Sequence, residues 1–125
     1  MTYTHTETNL PVENEYPKLV RDKIPEIIHQ HEGVQAPTRV LEDDTEYEAY
    51  LRRKIIEEAA ELAATETDDH TIEEMADLEE LIDALLALKK LDRAQVTAAQ
   101  SEKREKRGGF AKRLLMLDSV KNTSR

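Results

Sequence analysis

Seventy consecutive residues, 38–107, contain neither glycine nor proline, the two residue types that most readily interrupt a helix. Alanine, leucine, glutamate, arginine and lysine fill much of this stretch, and all of them favour helix. Three long helices are predicted, at about Thr45–Thr65, Ile72–Leu91 and Arg93–Arg107. The sequence therefore predicts an all-α fold built from a helical hairpin or bundle.

The ends of these helices have their own sequence signals. Thr45 followed by Glu48 has the spacing of a capping box, and Asp92 suits the N-cap of the third long helix. Gly108, with a second glycine after it, ends that helix. The polar residues Glu66–His70 are predicted to form the loop of the hairpin.

Shorter elements flank the long helices. A short helix is predicted at Pro25–His31, before a glycine. Pro37–Leu41 has β propensity, and Phe110–Leu117 could pair with it as an edge strand, which would add a minor two-stranded β element. The expected organisation is a flexible N-terminal tail, one domain and a C-terminal tail, at residues 1–15, 16–117 and 118–125 respectively.

Length and composition restrict the possible functions. A chain of 125 residues suits one domain but is short for several long helices, so we expect a second copy to complete the core. Acidic residues outnumber basic ones by 27 to 18, which disfavours nucleic acid or anionic membranes as partners and suits bound divalent cations, although acidic residues also serve solubility alone. Cysteine is absent, and no apolar run approaches a membrane span, so a cytoplasmic protein is expected.

Acidic residues fall on the apolar sides of the first two long helices. At about 100° of rotation per residue, Glu74 lies inside the leucine stripe of the second helix and Asp77 lies at its edge. On the first helix, Glu58 lies beside the apolar face, Glu61 stacks one turn further on, and Glu57 flanks them. Burying ionised carboxylates costs several kcal/mol or more unless a partner compensates their charge.

A divalent cation is one such partner. The spacing E-x-x-E, twelve residues, then E-x-x-D can place two ligand pairs face to face across a hairpin, and Mg²⁺ prefers oxygen ligands. Two other interpretations stay open at this point. Glutamate pairs at this spacing are common on solvated helix faces, and Thr71 precedes Glu74 at capping-box spacing.

The same residues resemble a known family, the MazG-like all-α nucleotide pyrophosphohydrolases. The segments Glu57–Glu61 and Glu74–Asp77 match its acidic motif. Tyr16–Pro25 and Lys106–Phe110 look like the N- and C-terminal signatures of the phosphoribosyl-ATP pyrophosphohydrolase-like branch. The resemblance covers about residues 16–117 in matching order.

The resemblance implies hydrolysis of a nucleoside triphosphate between the α- and β-phosphates, with Mg²⁺, or Mn²⁺ as a substitute, held by Glu58, Glu61, Glu74 and Asp77. It implies a homodimer or homotetramer. The candidate catalytic residues are Glu57 and Glu58, of which Glu57 would orient or deprotonate the attacking water, or support a ligand. The alternatives are hydrolysis of phosphoribosyl-ATP in histidine synthesis, and a non-catalytic helical oligomer that binds a partner.

Basic residues are needed to neutralise the phosphates of such a substrate. They occur in two clusters, from which the candidate phosphate-binding residues are Lys18, Arg21, Lys23, Lys103, Lys106 and Arg107. The second cluster also suits a helix C-terminus, where positive charge is favourable. Arg21 has a structural alternative, an ion pair with Asp22 or with an acid elsewhere in the chain.

Overall fold

The computed structural model describes residues 16–120, in which every regular secondary-structure element is an α-helix. Within that range the helices are α1 (Ile24–Glu32), α2 (Asp44–Ala63), α3 (Asp68–Lys89) and α4 (Arg93–Arg107). The predicted N-terminal tail, 1–15, and the last five residues of the predicted C-terminal tail lie outside the described residues. The chain divides into two compact units, which meet in sequence between Leu91 and Asp92.

The first unit contains an antiparallel hairpin of α2 and α3, which pack against each other. At the open end, Lys89 Nζ near the end of α3 lies 2.7 Å from Glu48 Oε1 near the start of α2. At the closed end, the hydroxyl oxygens of Thr65 and Thr71 lie 2.8 Å apart. Because the hairpin is antiparallel, the last turns of α2 lie beside the first turns of α3.

The predicted start of α3 is wrong by one helical turn. Residues 68–70, predicted as loop, are helical, because the Thr67 side chain accepts a hydrogen bond from the backbone N–H of His70 and caps the helix there. Thr71, which lies inside the helix, instead donates its hydroxyl to the Thr67 carbonyl. The capping-box alternative for Glu74 is therefore wrong, since Thr71 is not the N-cap.

The predicted capping box at the start of α2 is wrong as well. Asp43 is the N-cap, and its side chain accepts a hydrogen bond from the backbone N–H of Glu46. Other predicted ends are confirmed. Asp92 and Gln95 form a capping box at the start of α4, and Gly33 ends α1 with a left-handed backbone (φ 69°).

The predicted β element is absent from residues 16–120. Neither Pro37–Leu41 nor Phe110–Leu117 forms a strand. Neither segment has a buried face, since Val40 and Leu115 are at least 80% exposed. Alternating apolar residues do not stabilise a strand unless one face is buried. No helix of the described residues has both the length and the apolar character needed to cross a lipid bilayer.

Candidate metal centre

Three of the predicted ligands come together at the closed end of the hairpin. Glu58 and Glu61 lie one turn apart on α2, and Glu74 lies in the second turn of α3. One carboxylate oxygen from each residue lies within 4.8 Å of the other two. The helix periodicity and the antiparallel arrangement of the helices together bring the three carboxylates close to one another.

Buried carboxylates dominate this part of the unit. Among the described residues, the buried polar residues are Glu57, Glu58 and Glu74, which are 6–8% exposed. The Oε2 atom of each of the three is buried and has no hydrogen-bond partner. Leaving a buried acceptor unsatisfied is costly, and ionised acceptors cost more. The protein therefore presents three buried carboxylate oxygens that accept no hydrogen bond from its own donors.

The electrostatic consequence is clearest at Glu58. Burial raises the pKa of its carboxyl group to about 8, and a hydrogen bond with Glu74 and the negative charges of Glu61 and Glu74 act in the same direction. The ammonium of Lys54 acts in the opposite direction. The proton is retained because a negative charge is unfavourable in this buried position and beside two other carboxylates.

Asp77, the fourth predicted ligand, does not join the group of three. It is half-buried on α3, and its Oδ1 accepts a hydrogen bond of 2.8 Å from Arg21 Nη2. The structure therefore contains the ion pair with a distant acidic residue that was the structural alternative for Arg21. This pair connects the segment before α1 to α3. Its two side chains are 56% and 39% exposed, so we expect at most about 1 kcal/mol of stabilisation from it.

The other candidate phosphate-binding residues lie on exposed or half-buried surfaces. Lys18 Nζ lies 4.9 Å from the centre of the Tyr16 ring, and Lys23 is the N-cap residue of α1. The remaining three are exposed on the last turns of α4, in the second unit: Lys103, Lys106 and Arg107. Lys106 donates a hydrogen bond of 2.8 Å to Glu102, one turn earlier on the same helix.

Two residues beside the carboxylates were not among the sequence candidates. Lys54 Nζ lies 3.6 Å from Glu57 Oε2 and 3.9 Å from Glu58 Oε1. His70 Nε2 lies 3.3 Å from Glu74 Oε1, one helical turn away. The signal for Lys54 was present, because i,i+3 and i,i+4 spacing places it on the face of both glutamates. His70 was missed because residues 66–70 were predicted as loop.

Comparison of the chain with models of protein families, with curated proteins and with solved structures gave no match.

Proposed function

We propose that this chain is a metal-dependent nucleotide pyrophosphohydrolase, which cleaves a nucleoside triphosphate between the α- and β-phosphates and releases the monophosphate and pyrophosphate. The observation that carries the proposal is the approach of three carboxylates from two helices, two of which have a buried oxygen without a donor. The sequence resemblance supplies the reaction class. The three carboxylates are among the four ligands that the resemblance implies.

The donor set suits a hard divalent cation. All three groups offer oxygen, which Mg²⁺ and Mn²⁺ prefer, and neither cysteine nor a histidine belongs to the group. Two oxygens that bind the same Mg²⁺ at about 2.1 Å lie at most about 4.2 Å apart. The separation of up to 4.8 Å is therefore within small side-chain rotations of a shared ion. A cation would also satisfy the buried Oε2 atoms of Glu58 and Glu74.

In this proposal Glu58, Glu61 and Glu74 would hold the ion, and Asp77 would be the fourth ligand. An ion held there would neutralise charge on phosphate oxygens and lower the pKa of a water molecule bound to it. Glu57 orients the attacking water and accepts its proton, as the water oxygen bonds to phosphorus and the anhydride P–O bond breaks. The basic cluster around Lys18, in the same unit as the carboxylates, would neutralise the leaving phosphates.

Self-association is a further part of the proposal. Leu51 is the one fully buried hydrophobic side chain within residues 16–120. By contrast, Ile56, Ile72 and Met75 of the hairpin are all more than half exposed. One buried leucine gives little hydrophobic stabilisation to two long helices, so a homodimer or homotetramer that covers this apolar surface would supply the missing core.

Pyrophosphate release from a panel of nucleotides tests the proposed reaction. The panel contains ribo- and deoxynucleoside triphosphates and phosphoribosyl-ATP, each assayed with Mg²⁺ and with EDTA. We expect release from at least one member, and a loss of at least about 100-fold in EDTA, because the ion contributes several kcal/mol to the transition state. The ranking of rates identifies the substrate class.

A folded protein that releases pyrophosphate from no member of the panel would contradict the proposal and favour a non-catalytic helical oligomer. Circular dichroism of the same sample establishes that the protein is folded. Release that is equal with Mg²⁺ and EDTA would contradict the metal dependence.

A further inference from the structure

Lys54 lies beside the carboxylate group but has no role in the reaction proposed above. It lies on α2, one turn before Glu57 and Glu58, and its side chain is 22% exposed. Its Nζ lies within 4 Å of one oxygen of each of these glutamates. Neither distance is that of a hydrogen bond, so the ammonium keeps its N–H donors available for a closer acceptor.

Distance alone places Lys54 close to anything bound at the three carboxylates. An ion bound to Glu58 Oε1 at about 2.1 Å lies within roughly 6 Å of Lys54 Nζ, because Nζ and Oε1 are 3.9 Å apart. A phosphate oxygen bound to the same ion would lie only about 2 Å further from the Glu58 carboxylate than the ion itself. The four-carbon stem of lysine rotates freely enough to meet it.

Charge separates two possible roles for this residue. As a counter-ion for the glutamates, the ammonium would oppose a divalent cation at the same position, since like charges at this distance repel. As a partner of an anionic substrate, it would attract the triphosphate and stabilise the negative charge that develops on the leaving pyrophosphate. The chain has nine more acidic than basic residues, and this net negative charge repels an anionic substrate. An ammonium beside the carboxylates reduces that repulsion locally.

We propose that Lys54 is a phosphate-binding catalytic residue, which donates a hydrogen bond from its ammonium to a phosphate oxygen of the metal-bound nucleotide. This inference rests on the proposed function. Glu57 and Glu58 hold the ammonium beside the site before substrate binds. Substrate would then replace these glutamate contacts with a shorter contact to phosphate, and a bound cation would balance the charge of Glu58.

The substitutions Lys54→Met and Lys54→Arg test this role. Methionine keeps most of the unbranched stem and removes the charge, so we expect kcat to fall by about 100-fold. We expect Mn²⁺ to bind several-fold more tightly, because a repelling charge is lost. Arginine restores a cationic donor and should recover part of kcat. The readouts are steady-state kinetics and Mn²⁺ affinity, measured by electron paramagnetic resonance.

Lys89→Met is the matched control. Lys89 pairs with Glu48 at the opposite end of the hairpin, so its removal should leave both kcat and Mn²⁺ affinity unchanged. Unchanged kcat with tighter Mn²⁺ binding in Lys54→Met would overturn the inference and make Lys54 a counter-ion only. Weaker Mn²⁺ binding, together with a lower melting temperature, would overturn it in favour of a structural role.

Failure of the proposed function is distinguishable from failure of this inference. If the wild-type protein hydrolyses no nucleotide, binding of α,β-methylene ATP in the presence of Mn²⁺ replaces kinetics as the readout. We expect Lys54→Met to weaken that binding by roughly tenfold, since one charge-assisted contact to phosphate is lost. Equal binding by the wild type and Lys54→Met, or no binding by either, would overturn the assignment.

Discussion

The substitution Glu58→Gln is expected to lower Mg²⁺-dependent pyrophosphate release by at least about 100-fold. Glutamine keeps the size of the side chain but replaces a carboxylate oxygen with an amide nitrogen, which cannot bind a cation. Glu58 lies within the group of three carboxylates and is next to Glu57, so its loss affects both the ion and the water-activating residue. The measurement is steady-state pyrophosphate release at saturating Mg²⁺.

The same variant should be more stable than the wild type when no metal is present. Burial and the negative charges of Glu61 and Glu74 make the folded protein protonate Glu58 at neutral pH, which costs stability, whereas a neutral amide needs no proton. Lower activity in a more stable protein cannot result from unfolding, so the two results together separate catalysis from structure. Glu80→Gln is the control, because Glu80 is exposed on α3 and should change neither property. Wild-type activity in Glu58→Gln would contradict the catalytic assignment.

The second large effect is on the pH dependence of stability. The pKa of Glu58 is raised from 4.5 to about 8, so between these values the folded protein holds a proton that the unfolded chain has lost. The free energy of unfolding of the metal-free protein must then fall as pH rises through this window. The slope approaches about 1.4 kcal/mol per pH unit if one proton is retained throughout. Below pH 4.5 this carboxyl group contributes no pH dependence.

Other groups also titrate between pH 5 and 8, so the comparison with Glu58→Gln isolates the contribution of Glu58. We expect the melting temperature of metal-free wild type to fall relative to the variant as pH rises, and Mg²⁺ to reduce the difference. Binding of the ion requires the ionised carboxylate and should therefore release protons near neutral pH. A difference in melting temperature that is constant from pH 5 to 8 would contradict the raised pKa.

Periodicity along the sequence predicted the helices and the burial of two key carboxylates. Glu58 and Glu74 fall on apolar faces at 100° per residue, and both side chains are buried in the structure. Bounds that depend on capping were less predictable. Thr67 and Thr71 are both acceptable N-caps in sequence, and only the backbone hydrogen bonds of the folded hairpin distinguish them.

Helical spacing cannot predict contacts between residues that are far apart in the sequence. Asp77 was predicted as a ligand from its position on α3, whereas its partner in the structure is Arg21, 56 residues earlier in the chain. The position of Lys54, by contrast, is predictable from helical spacing, because it precedes Glu57 and Glu58 by three and four residues. The contact of His70 with Glu74 could be predicted only from the correct start of α3. The predicted start was one helical turn too late, because Thr67 and not Thr71 is the N-cap.

The central claim is that three glutamates bind one divalent cation, and a Mn²⁺ titration tests it most directly. The electron paramagnetic resonance signal of free Mn²⁺ is followed as wild-type protein, Glu58→Gln/Glu74→Gln and Glu80→Gln are each titrated. We expect saturable binding to the wild type and to the Glu80 control, displacement by excess Mg²⁺, and loss of this binding in the double variant. Equal Mn²⁺ binding by the wild type and the double variant, or no binding by folded wild type, would contradict the claim.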